Sequence, residues 1–270
     1  MRNLARGCRQ RCVRRRKSTR KIMGRIRLAG LFLALSLLAG CAVVQKPIPA
    51  STKLFDDRTS TVAVAVQKLP EPNHSMIGAQ GILDYAINKA NAQAIVERLQ
   101  RQDFSVVKAL PQEFAKGLES RQIKVVLVPE PLDMEQLKKF TEGSGDGVAE
   151  MDYRPLAKQY GADRLLLVAP RWLGTARQYY GFMPLGAPEG YVSLVGQLID
   201  LRTNRLQWYE PVRVNTPVTG EWDEAPEYAN LMKSVDESTQ AAVSRLRAAF
   251  FMEQVTKAAT AGVSAAPVVR

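Results

Sequence analysis

A catalytic centre needs a base and a nucleophile held within reach of each other, and this chain offers few candidates. Its one histidine, His74, stands among prolines and asparagines with no partner motif, which reads as a solvated loop position rather than a general base. The chain has no Gly-x-Ser-x-Gly elbow, no His-Glu-x-x-His pair and no Gly-x-x-x-x-Gly-Lys phosphate loop. Gly143-Ser-Gly-Asp-Gly147 is glycine-rich, but its spacing fits neither phosphate-binding pattern and it follows a helical pattern instead of a strand, so it reads as a flexible connection. The acids Asp56-Asp57 and Glu221/Asp223/Glu224 lack the ligand spacing of a calcium loop and read as solvated. Cys8 and Cys12 have no second Cys/His pair to complete a zinc site. The expectation is no catalytic residue, no metal, no cofactor and no enzyme.

One segment invites a binding role. Trp172, Tyr179, Tyr180, Phe182, Met183, Pro184 and Leu185 crowd Arg171–Gly190, between two strand patterns, with four glycines interspersed. A connection of this length is usually functional or disordered, and aromatics are unusual in disorder. Tyr, Trp, Phe and Met are favoured at protein interfaces, so one reading is an exposed contact loop built on Trp172, Tyr179, Tyr180, Phe182 and Met183. The other is that the segment folds back as two strand ends capping the core. Both stand at this point.

Charge settles another question. The 270 residues carry 38 Lys+Arg against 26 Asp+Glu, a formal charge of +12. Residues 1–40 hold twelve of the basic residues and no acid, which leaves the rest neutral. A basic nucleic-acid-binding face therefore has no support, and no nucleic acid partner is expected. Within the leader, Arg25 and Arg27 precede the uncharged run Leu28–Leu38, too short to span a bilayer as a helix, for which roughly 20 apolar residues are needed. Basic residues, a short apolar run and small residues form a secretory signal peptide. Met23 would begin one of ordinary length, so residues 1–22 read as an over-extended start.

The run ends in Leu38-Ala39-Gly40-Cys41, which resembles the bacterial lipobox. The resemblance implies cleavage before Cys41, lipidation there and attachment to the membrane through two or three acyl chains, enough for stable anchoring. Ala42 in place of Asp implies the outer membrane. The mature chain then has no cysteine free for a disulfide and must rely on an ordinary core.

Behind these residues the elements alternate. Residues 41–60, with Pro47 and Pro49, read as lipidated Cys and tether, 61–256 as one periplasmic domain, and 257–270 as a flexible tail. Thr61–Gln67 is a buried strand, and residues 70–80 are a loop. Leu83, Ile87, Ala90 and Ala94, with Ile95 and Leu99 beside them, give the apolar spacing of a helix. Phe104–Lys108 is a strand, Pro111–Leu118 a helix, Ile123–Val128 a strand, Met134–Phe140 a helix, Tyr153–Tyr160 a helix and Arg164–Ala169 a strand. Tyr191–Asp200 and Leu206–Val214 form a hairpin with Asn204 at positive φ. A long helix from Tyr228 to about Val255 carries Leu231, Val235, Ala242, Leu246 and Ala249 on one face. The predicted class is α/β: a single three-layer-like domain with a mixed sheet, parallel in its first half and an antiparallel hairpin in its second, and a long C-terminal helix.

Gly161-Ala162-Asp163 before a strand, and Asp200, Thr203, Asn204 and Trp208 across the hairpin, are similar to a group of periplasmic α/β lipoproteins. The group includes neisserial-type outer-membrane lipoproteins, the curli secretion lipoprotein, the penicillin-binding-protein activator and the amino-terminal domain of the Tol translocation protein. The resemblance implies an outer-membrane lipoprotein on the periplasmic face that binds other envelope proteins, or itself, as an assembly factor. An oligomeric secretion-channel subunit is the alternative, and an envelope hydrolase or ligand receptor the next.

Overall fold

The computed structural model describes residues 45–143 and 145–252. In chain order the elements are α1 (Lys53–Asp56), β1 (Thr61–Val66), β2 (Asn73–Ile77), α2 (Ile82–Asn91), α3 (Gln93–Leu99), α4 (Ser105–Lys108), α5 (Leu110–Glu119), β3 (Lys124–Leu127) and α6 (Pro155–Tyr160). They continue with β4 (Arg164–Tyr180), β5 (Met183–Pro184), β6 (Glu189–Asp200), β7 (Leu206–Pro217) and α7 (Ala229–Phe251).

The sheet runs β3-β1-β4-β6-β7. β1 lies parallel to β3 and β4, whereas β4, β6 and β7 are successively antiparallel. β1 is buried on both faces: its valines Val62, Val64 and Val66 enter one apolar cluster and its alanines Ala63 and Ala65 the other. On the first face lie α3, α4, α5 and α7, packed around Trp208, Phe114 and Phe250. Trp208 meets Phe250 edge-on at 4.8 Å, and Phe250 meets Phe114 at 5.4 Å. On the second face lie α6 and the segments around Ala149 and Tyr153. The mixed sheet, the two covered faces and the long last helix are the predicted class.

The Leu201–Arg205 turn shows how local chemistry fixes the hairpin. Asp200 Oδ1 accepts from the Arg202 and Thr203 amides and the Thr203 hydroxyl. Asn204 takes φ +59°, as predicted, and is fully buried. Its Nδ2 donates to the carbonyls of Ala149 and Met151, and its Oδ1 accepts from the Tyr153 amide. Gly161 caps α6 in the left-handed region, and Asp163 accepts from the Thr61 amide at 2.8 Å. The family-like residues are thus turn and strand-end pieces.

Four sequence expectations are corrected, and one that stood open is decided. Phe104–Lys108 is helical from Ser105: Asp103 accepts from the Ser105 amide at 2.8 Å, and Phe104 and Val107, three apart, are both buried. Residues 70–80 contain β2, parallel to the outer half of β4. It can approach because Gly174, at φ +142°, has no side chain where a Cβ would strike the Asn73 carbonyl. Met134–Phe140 gives only a single 3₁₀ turn, Met134–Gln136, capped by Asp133. Residues 45–57, read as tether, are docked: Ile48 pairs with Tyr209, Phe55 packs edge-on against Phe250 at 5.7 Å, and Asp57 pairs with Arg164 at 2.7 Å. The aromatic segment, for which two readings stood, is largely strand: β4 continues to Tyr180 and β6 begins at Glu189.

Candidate functional site: an apolar face at one end of the sheet

β4 is seventeen residues long and changes neighbours along its length. Its first half pairs with β1 and its second half with β2, while β6 accompanies it on the other side through a bulge between Pro170 and Trp172. The strand projects a tip, Tyr180 to Pro188, in which β5 folds back on Tyr179 and Tyr180.

The structure divides the predicted contact residues. Tyr179 is buried, and Trp172 is half-buried beside Tyr191 at 6.3 Å. Tyr180, Phe182 and Met183 are exposed by 71, 64 and 55 %. Leu185 on the tip and Ile77 at the end of β2 are exposed as well. Cys41 and the motif Leu38, Ala39 and Gly40 lie outside the described residues, as do the leader and residues 257–270.

The sequence reading missed the other half of this face. An amphipathic helix ordinarily turns its apolar stripe inward. α2 does the reverse: Ile82 and Leu83 are exposed by 94 and 72 %, and Ala86, Ile87 and Ala90 are also exposed. Its inward residues are polar. Asp84 accepts from the Gly81 amide, and buried Asn88 donates both to Gln80 and to the Gly181 carbonyl at 3.0 Å. The Gly181 amide donates to the Ala79 carbonyl at 2.8 Å. These bonds lock α2 to the tip and join the two exposed surfaces. The available signal was the polar pair Asp84 and Asn88, four apart, opposite the apolar stripe.

Beneath the face lies the one histidine. His74 is 5 % exposed, with Nδ1 at 2.9 Å from the Thr175 hydroxyl and Nε2 at 3.3 Å from the Tyr179 hydroxyl. Its reading as a solvated loop residue is corrected: β2 carries it into the interior. Burial, then the nearby Arg177 charge, push its pKa down to about 4. Arg177 lies over the Trp222 ring at 4.7 Å and donates to the Gly186 carbonyl at 2.6 Å, stiffening the base of the tip. A hollow of about 310 Å³ beside it is lined by Ile77, Arg177, Leu185, Pro188, Glu189 and Pro217.

A larger hollow of about 650 Å³ lies between α6 and the 130–138 segment. Its Asp152 is held by Arg154 at 2.9 Å, and Arg154 also takes Glu142 in a two-pronged pair. These hydrogen bonds hold both carboxyls below their ordinary range. Among the described residues no group of three His, Cys, Asp or Glu could hold a metal ion, and no helix is long and apolar enough to cross a membrane.

No protein-family model matches the chain, and no curated protein sequence matches it. Among solved structures, the chain is similar to the lipoprotein GNA1162 of Neisseria meningitidis. That pair is 10 % identical over 70 % of this chain and 96 % of the other, with a TM-score of 0.28. A PelC dodecamer from Paraburkholderia phytofirmans is 12 % identical over 77 % and 96 %, with a TM-score of 0.29. Protein XCC0632 of Xanthomonas campestris is 11 % identical over 79 % and 95 %, with a TM-score of 0.32. Bacterial lipoproteins are thus among its structural neighbours, and identities and TM-scores this low leave function to be argued from the chain's own residues.

Proposed function

We propose that the chain is an outer-membrane lipoprotein, anchored through Cys41, whose periplasmic domain binds other envelope proteins in assembly or secretion and catalyses nothing. The carrying observation is the exposed apolar face made by α2 and the β4–β6 tip. Gln45, four residues after Cys41, accepts a hydrogen bond from the Gly147 amide through its side-chain oxygen at 2.7 Å. At most about 14 Å of chain separates Cys41 from Gln45. Ile48 is registered through Tyr209 and Gln197 with Leu167, near the start of β4. From Leu167 to Tyr180 the strand advances on the order of 40 Å. The face lies at the opposite end of β4 from Ile48, which supports a surface for proteins.

A pore is poorly served by the same geometry. Membrane strands need about 9–11 residues each, and each arm of the nine-residue tip is shorter than that. To test the reading, Cys41→Ser should leave the membrane fraction and lose its acyl mass. A photo-crosslinking residue at Phe182 in the native chain should join a protein in growing cells. Lipidated protein that crosslinks to nothing from Phe182 overturns the binding role.

A further inference from the structure

An apolar face this size needs a cover. The exposed parts of Ile82, Leu83, Ile87, Tyr180, Phe182 and Met183, with their neighbours, come to on the order of 800 Å², against about 300–600 Å² for the largest patch of an ordinary monomer. About 800 Å² per partner is what a stable interface of standard size buries. The outward side of α2 carries no acid, since Asp84 is turned to the Gly81 amide. Its Lys89 stands at the rim. Beyond that one lysine a charged partner finds nothing to pair with, whereas an equally apolar surface fits.

We propose that this surface is supplied by a second copy of the same chain, docked α2 against α2, antiparallel, about a two-fold axis beside Ala86. The proposal deepens the binding role above and rests on it. Residue size along the helix specifies the direction. The first turn is large, with Ile82 and Leu83, and the exposed side of the last turn is small, with Ala90. In an antiparallel pair centred on Ala86, residue 82 faces residue 90, so Ile82 of each copy fills the space over the partner's Ala90. Small Ala86 lets the two axes close at the centre. A parallel pair would set Ile82 against the partner's Ile82 and leave both Ala90 positions over a gap, a packing defect at one end and a clash at the other. Antiparallel helices also oppose their dipoles. A two-fold contact uses one patch on both copies and closes on itself, so it yields a dimer and no fibre. Each copy locks its own α2 beforehand through Asn88 and Gly181, so little ordering remains to be done on docking.

The test is in-cell disulfide trapping in the full, membrane-attached chain. Ala86→Cys lies at the axis and should give a dimer on a non-reducing gel, absent from the wild-type chain and well above Ala90→Cys alone. Coexpressed Ile82→Cys and Ala90→Cys chains should crosslink to each other. Extracted in mild detergent, the wild-type protein should have the mass of a dimer. The double variant Leu83→Glu/Ala86→Glu, which leaves the inward bonds of α2 untouched, should run as a monomer with an unchanged circular dichroism spectrum. No trapping at residue 86, together with a Phe182 crosslink to a different protein, overturns the second copy and leaves the binding role standing. Crosslinks to nothing from either position overturn both. A larger closed assembly overturns the two-fold contact.

Discussion

His74, the only histidine in the chain, is held neutral by burial and then by the Arg177 charge, with its ring nitrogens beside the Thr175 and Tyr179 hydroxyls. Its folded pKa of about 4 lies below the value of 6.5 it takes when unfolded. Below pH 6.5 the unfolded chain therefore binds a proton that the folded chain refuses, and the folded state loses stability as pH falls from 6.5 to 4. The loss by pH 4 is about 3 kcal/mol. Measuring the melting temperature across that range for wild type and His74→Gln should show the difference between them narrowing as pH falls. Parallel curves would place the imidazole in solvent. Asn204 makes a second residue-scale prediction. Alanine there removes three hydrogen bonds and sets an ill-suited residue at φ +59°. The expected cost is about 2–4 kcal/mol, a drop in melting temperature of roughly 5–10 °C. Glycine should recover the backbone part and not the hydrogen bonds. Asn204 was legible in the sequence because a five-residue connection between two apolar runs demands such a residue. His74 was not, because its partners Thr175 and Tyr179 lie about a hundred residues away.

Among the elements, periodicity found nearly every strand and helix of the core, since apolar spacing reflects burial directly. It failed wherever a neighbour decided the outcome. β2, with the sequence Asn-His-Ser-Met-Ile, has little strand character of its own and exists because β4 outruns β1 and Gly174 admits a parallel companion. Gly174→Val should expel β2, costing upwards of about 2 kcal/mol and exposing His74. Restored ordinary titration of His74 by NMR would mark that expulsion; wild-type stability and an unshifted histidine would refute it. α2 shows the opposite failure. Its spacing identified a helix, but spacing alone carries no direction, and the bonds of Asp84 and Asn88 turned the apolar stripe outward. The tip repeats this at the level of the aromatic segment, where strand geometry buries Tyr179 and exposes Tyr180 because successive side chains point to opposite faces. Tyr180→Ser/Met183→Ser should consequently change stability by no more than about 0.5 kcal/mol while abolishing the crosslink from position 182. A large loss of stability in denaturant titration would mean the tip belongs to the core.

At the scale of the molecule, the chain is arranged end to end. Residues 45–57 dock along β7, α7 and the start of β4, and the apolar face crowns the finish of β4. Lengthening the connection between Cys41 and Gln45 by about twenty Gly/Ser residues would widen the domain's reach by roughly 25 Å as a random coil. If the contact partner sits at a fixed height above the membrane, Phe182 crosslinking should fall; an unchanged yield would mean that the partner travels with the domain. β4 itself bears on what such a contact would feel. Force drawn between the two ends runs along a strand whose antiparallel hydrogen bonds to β6 lie across the pull, so they resist together instead of parting one after another. The domain is therefore a stiff strut, and a tug at its tip arrives at the Gln45 end as displacement instead of being spent on stretching the fold.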